Sequence, residues 1–126
     1  MEVLPERVKA RRKNYAIYKS SLSTISSIKF LDEPKGYYSN RWLTCVLFDS
    51  YKTREQVRLA LAEENIESRP LWKPMHLQPI FKKDRNYVNG VSDDLFNRGL
   101  CLPSGSNLNL KDLKRVIKII KNSCND

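Results

Sequence analysis

The sequence predicts an α+β fold: a small, mainly antiparallel sheet with helices packed on it. Three observations lead there. Residues 42–48, Trp-Leu-Thr-Cys-Val-Leu-Phe, are apolar on both faces, as a central strand is. Apolar residues recur at helical spacing near both ends and after that strand. The elements then follow in the order α-β-β-α-β-loop-α-β-α, with no internal repeat and no low-complexity segment. A chain of 126 residues is one domain long. It can bury roughly two-thirds of its unfolded surface, so it needs neither disulfide nor structural metal to fold.

The first helix is expected over residues 5–22. Pro5 suits its first turn, and Leu4, Val8, Tyr15, Tyr18 and Leu22 form a stripe broken by Arg11 and Arg12. This thin, aromatic stripe suits an interface more than a core. Residues 28–35 read as an extended segment closing at a turn around Pro34-Lys35-Gly36. After the strand at 42–48, Thr53-Arg54-Glu55-Gln56 has the form of a capping box. The helix behind it, 53–64, is expected to bury Val57, Leu59, Ala60 and Leu61 and to stop near Asn65. A short strand follows at 66–69, reaching Pro70, and then a loop over 70–90 that carries Pro70, Pro74 and Pro79. Ser92-Asp93-Asp94 is expected to cap a short helix ended by Gly99. Residues 100–102 form a strand and 104–107 a turn. Asn109 then caps the last helix, 109–121, whose Leu113, Val116, Ile117 and Ile120 face inward. The strands at 42–48, 67–70 and 100–102 should share one sheet, covered on one face by the helices at 53–64 and 109–121. The helix at 5–22 should be less covered.

Composition narrows the function. Hydrophobic residues at 40% and charged residues at 29% are globular values. No apolar run of about 18 residues offers a membrane span, and the first residues lack the apolar region of a secretory signal. Cys45, Cys101 and Cys124 make no CxxC or zinc pattern and read as reduced thiols of a cytoplasmic protein. The net charge is +9, with six cations in the first nineteen residues and five in the last helix. It points to an anionic partner, to an acidic remainder of a larger protein, or simply to solvated helix faces.

The segment from Arg69 to Phe81 carries the most chemistry. It holds Arg69, Trp72, Lys73, Gln78, three prolines and His76, the only histidine in the chain. Prolines reduce the entropy lost when a loop is fixed in one shape. Arg69 can grip a phosphate or carboxylate with two donors, Lys73 adds a point charge, and Trp72 offers a flat face. The plainer alternative is a surface loop whose Trp72 and Phe81 pack on the core. No GxGxxG, GxxxxGK[ST] or GxSxG motif occurs. Asp93-Asp94 reads as a helix cap rather than a metal pair. No self-contained set of nucleophile, base and oxyanion donor is present.

The stretch RPLWKPMHLQPIF resembles the C-terminal region of the DegT/DnrJ/EryC1/StrS aminotransferases. These are pyridoxal-phosphate enzymes that aminate nucleotide-linked keto-sugars. ERVKARRKNYAIYKSSL is similar to the family's helix joining the large and small domains. The strand Trp42–Asp49 followed by TREQVRLALAEENIESRP, then SDDLFNRGLCLPSGSNL and KDLKRVIKIIKN, continue the resemblance in order over about residues 5–122. It implies that residues 1–126 are one small C-terminal domain of a fold-type I enzyme, with residues 1–22 as an interdomain helix. The Schiff-base lysine and the pyridoxal 5'-phosphate site belong to a large domain absent from this sequence. The fragment alone is therefore expected to be inactive, with no catalytic residue and no bound cofactor. The resemblance further implies a homodimer for the intact enzyme, and a nucleotide-sugar substrate contacted by Arg69, Trp72, Lys73, His76 and Gln78. The form of the loop is closest to members acting on UDP-linked 4-keto-6-deoxy-HexNAc in glycan and capsule pathways. The competing reading is a free-standing basic module that binds nucleic acid, with Tyr37, Tyr38 and Trp42 as stacking groups. No helix-turn-helix, RRM, KH or OB signature supports it.

Overall fold

The computed structural model describes residues 2–124. It is an α+β fold built on one four-stranded antiparallel sheet. The strands are β1 (Ile28–Phe30), β2 (Thr44–Phe48), β3 (Arg69–Pro70) and β4 (Gly99–Leu102), in spatial order β1-β2-β4-β3. The helices are α1 (Leu4–Leu22), α2 (Tyr51–Glu63), α3 (Val91–Arg98) and α4 (Leu110–Cys124). Val46 pairs with Leu100 and Thr44 with Leu102, so these four side chains point to the same face. That face is sealed by Val57 and Leu61 of α2, by Leu113, Val116, Ile117 and Ile120 of α4, and by Tyr18 and Leu22 of α1. On the opposite face, Cys45 and Cys101 are directly paired and only half-buried.

Several elements differ from the sequence reading, each for a local reason. The extended segment at 28–35 is regular only over Ile28–Phe30, where it pairs with β2 as an edge strand. The central strand begins at Thr44, which leaves Trp42 outside the sheet and exposed. Helix α2 starts two residues early because Ser50, not Thr53, is its cap: the Thr53 amide donates to Ser50 Oγ at 3.1 Å. Val57 and Leu61 face inward, so Leu59, about 200° round the helix from each, turns to solvent and is 48% exposed, while Arg54 is buried at 3%. Arg54 is tolerated there because its Nε donates to the Asn97 carbonyl in the last turn of α3, where the helix dipole favours a cation. Asn65 ends α2 in the left-handed region at φ 57°, which asparagine tolerates.

Helix α3 is not capped by Ser92, Asp93 or Asp94. Gly90, at φ 81°, precedes its first residue, and the Val91 amide donates to Asn89 Oδ1. The two aspartates are thereby released for other partners, and Asp94 pairs with Arg98 one turn on. The reading of Asn109 stands and gains a partner. Asn109 Oδ1 accepts from the Asp112 amide at 3.0 Å, and Asp112 Oδ2 accepts from the Asn109 amide at 3.1 Å. Helix α1 is covered along its second half, where Asn14, Tyr15, Tyr18 and Leu22 are buried, and open along its first.

Two outcomes test this packing. Leu61→Ala, in the sealed layer, should cost about 2–5 kcal/mol in denaturant unfolding, whereas Leu59→Ala should stay within about 0.5 kcal/mol. Equal effects would mean that α2 presents another face. A second test uses the ion pair between Arg12 and Glu33. The Arg12 guanidinium and the Ser39 amide hold the Glu33 carboxyl down from 4.5 to about 2. A depressed carboxylate stabilises the fold above its unfolded value and loses that contribution as pH falls toward the folded one. Stability should therefore decline between about pH 4.5 and 2, and Glu33→Gln should flatten the decline.

Candidate functional site

A groove of about 600 Å³ opens beside the uncovered sheet face, between the start of β2 and the chain leaving β3. Trp42 and Trp72 are the only tryptophans of the chain. Both line the groove, with ring centroids 6.2 Å apart and planes tilted by 42°. They remain 61% and 66% exposed, an arrangement that a packing role does not require.

Local structure aims each ring. Arg41 precedes Trp42 in the left-handed region at φ 49°. Its guanidinium lies 3.8 Å from the centre of the Tyr15 ring and donates to the Leu31 carbonyl at 3.1 Å. The Trp42 amide donates to Asn40 Oδ1. These contacts hold a backbone conformation that an unsupported arginine rarely adopts. On the other side, the Leu71 amide donates to the Gly99 carbonyl at 3.3 Å. A Cβ at Gly99 would fall 2.2 Å from Leu71 Cδ1 and 2.5 Å from the Leu95 carbonyl oxygen. Only glycine lets the chain entering Trp72 pass this close to the α3–β4 junction.

The five residues singled out by sequence occupy two zones. Arg69 and Trp72 line the groove. Arg69 holds Glu67 through Nε at 2.7 Å, with both side chains about three-quarters exposed (75% and 72%). A pair so exposed is weak and readily exchanged for an anionic ligand. Lys73 is exposed and does not line the groove. Its carbonyl accepts from Gln78 Nε2 at 3.1 Å, so Gln78 cross-braces the loop. His76 lies in the 3-10 turn Met75–Leu77 with its side chain 14% exposed. Its Nε2 is 3.2 Å from Asp93 Oδ2 in hydrogen-bonding geometry and 2.9 Å from Oδ1, which is buried and accepts no bond. A carboxylate can only accept here, so Nε2 is the donor in this contact and the ring's other nitrogen, Nδ1, is left for a further partner.

Asp93, read from sequence as a cap, is thus the anchor of the histidine. Trp42 and Glu67 also went unassigned to this site by sequence reasoning. No periodicity could bring residues 42 and 72 together, because their meeting depends on the β2-β4-β3 strand order.

The residues present do not fit a pyridoxal-phosphate site. Such a site needs a lysine in a shielded pocket, but Lys19 is half-covered and paired with Asp32, and every other lysine is exposed. Among the described residues no group of three or more His, Cys, Asp or Glu could hold a metal ion. Nor is any helix among them long and apolar enough to cross a membrane.

Comparison with known proteins gives a consistent result. The model of the DegT/DnrJ/EryC1/StrS aminotransferase family matches residues 1–121. Bacillus subtilis EpsN, named as a pyridoxal phosphate-dependent aminotransferase, is 44% identical over 124 residues, 95% of this chain and 32% of its own length. The GDP-perosamine synthase of Escherichia coli O157:H7 is 25% identical over 126 residues, 100% of this chain and 34% of its own length. The aminotransferase TlmJ from Streptoalloteichus hindustanus superposes with a TM-score of 0.87 at 24% identity, covering 97% of this chain and 33% of that structure. The chain therefore spans about a third of the length of the relatives it matches.

The contact between His76 and Asp93 predicts a local effect. Asp93→Ala should raise protease cleavage and amide exchange within residues 73–81 while lowering global stability by about 1–2 kcal/mol. Unchanged cleavage in that window would show that the contact does not hold the loop.

Proposed function

We propose, because the chain belongs to the DegT/DnrJ/EryC1/StrS aminotransferase family, that it forms the small, substrate-facing domain of an enzyme that aminates a nucleotide-linked keto-sugar. The substrate class is a UDP-linked 4-keto-6-deoxy-HexNAc, the product an amino-sugar for surface glycan or capsule. Pyridoxal phosphate supplies the amino-transfer chemistry when bound. Its lysine and phosphate site lie in a large domain outside these residues, and two copies of the intact enzyme assemble as a cytoplasmic homodimer.

The observation that carries this reading is the paired tryptophans beside an exchangeable arginine. A nucleotide-sugar is a flat base, a diphosphate and a mostly polar ring. The indole faces suit the base or the apolar face of the sugar, because stacking there buries apolar area without demanding hydrogen bonds. Arg69 suits the diphosphate: the weak contact with Glu67 pre-orients it and is given up for two charged oxygens. Lys73 adds a mobile charge at the rim. Nδ1 of His76, aimed by Asp93, accepts a hydrogen bond from a sugar hydroxyl. Gln78 keeps the loop in the shape that presents these groups. The chain's part in the reaction is to bind, orient and shield the keto-sugar.

The test uses the full-length enzyme. Arg69→Ala and His76→Ala each remove a charge-assisted or buried hydrogen bond worth roughly 1.5–3 kcal/mol, so kcat/KM for the keto-sugar nucleotide should fall about 10- to 100-fold. The half-reaction with the amino donor, measured in a single turnover, should be nearly unchanged. Equal loss in both half-reactions, or loss in neither, overturns the assignment.

A further inference from the structure

The uncovered face of the sheet carries a second chemical feature, independent of the substrate reading. Cys45 of β2 and Cys101 of β4 are directly paired, and their sulfurs lie 3.7 Å apart. Both are free and half-exposed, and Cys101 lines the groove. We propose that Cys45 and Cys101 form a peroxide-reactive dithiol, a modification site that closes reversibly into a cross-strand disulfide at the floor of the groove.

Three features support it. Directly opposed residues of an antiparallel pair have Cα atoms roughly 4.5–5.5 Å apart, inside the roughly 4.4–6.8 Å window of disulfides. The sulfurs need approach by only about 1.7 Å from their 3.7 Å separation, within reach of side-chain rotation. The electrostatics divide the roles. The hydrogen bond from Cys101 favours the Cys45 thiolate and holds that thiol below its ordinary range. The same bond, reinforced by burial, pushes Cys101 up. Arg69 stands opposite Cys101 on the next strand, so a change at the pair occurs beside the arginine of the groove.

The chemistry closes with hydrogen peroxide as oxidant. The Cys45 thiolate attacks one peroxide oxygen, the O–O bond breaks, and water leaves with a proton from solvent, giving a sulfenic acid. The Cys101 sulfur then attacks the Cys45 sulfur, its S–O bond breaks, an S–S bond forms and a second water leaves. Two thiols lose two electrons in all, and one peroxide is reduced to two waters. Cys124 is the built-in control. It packs at the edge of the core from α4, where burial raises its thiol, and it has no cysteine opposite it.

The experiment treats the 126-residue chain with hydrogen peroxide, then blocks remaining thiols and maps non-reduced peptides by mass spectrometry. The expected product has lost two hydrogens, contains one link joining the Cys45 and Cys101 peptides, leaves Cys124 open to alkylation, and reverts with dithiothreitol. Cys124→Ser should behave identically. Cys45→Ser should abolish the link and slow loss of the Cys101 thiol by about 10-fold or more. Phenylarsine oxide, a probe that bridges paired thiols, should bind the reduced chain once and fail on Cys45→Ser or Cys101→Ser. Sulfinic acid at either cysteine without a link, links to Cys124, or a link formed only in denaturant would each overturn the proposal.

Discussion

The turn after β4 fastens the molecule together. Over residues 103–105 each backbone carbonyl accepts a hydrogen bond from a side chain of α1. Tyr18, fully buried on α1, donates its hydroxyl to the Pro103 carbonyl at 3.0 Å, and Asn14 donates to the Gly105 carbonyl at 2.9 Å. Arg11 reaches the Ser104 carbonyl at 3.2 Å. The Ser104 hydroxyl accepts from the Thr44 amide and donates to the Leu102 carbonyl, both at 2.7 Å. A buried acceptor left unpaired costs about 1–3 kcal/mol, so α1 and this turn stabilise each other. Burial pushes the Tyr18 phenol well above its ordinary range, which keeps it a donor at any physiological pH. The sheet, the long helix and the groove wall at Pro103 and Ser104 are consequently set by one cluster of bonds.

That fastening divides labour between the sheet faces. Val46, Phe48, Leu100 and Leu102 face the helices and carry the hydrophobic stabilisation. The residues between them in sequence face the other way, and there burial stops half-complete. The period of two along a strand makes this division unavoidable: once one side is committed to the core, the alternate positions must present something else. Here they present thiols, and beyond the strand ends two indole rings and a guanidinium.

Much of the fold was legible in the sequence, because most of it rests on local periodicity. Val116, Ile117 and Ile120 announce the inner face of α4, and the apolar run through Phe48 announces a central strand. The errors fall where a single hydrogen bond decides between neighbours. Ser50 outcompetes Thr53 as the cap of α2, and Asn89 with Gly90 begins α3 without help from Asp93. The candidate site was legible as residue types but not as geometry. Arg69 and Trp72 carry chemistry that any reader would mark, yet their neighbours Trp42 and Glu67, and the tether from Asp93 to His76, come from strand order and loop path. Thirty residues separate the two tryptophans, and no spacing rule spans that distance.

The placement of the two tryptophans has an optical consequence. Every indole of this chain sits at the groove mouth, and none lies in the core. Ultraviolet emission excited at the red edge of the protein band therefore originates in the groove alone. Its colour registers the water around Trp42 and Trp72, and energy exchange between rings 6.2 Å apart makes its anisotropy sensitive to their relative tilt. Anything that enters the groove would speak through that signal. The chain carries its own spectroscopic label, placed where a chemist would have attached one.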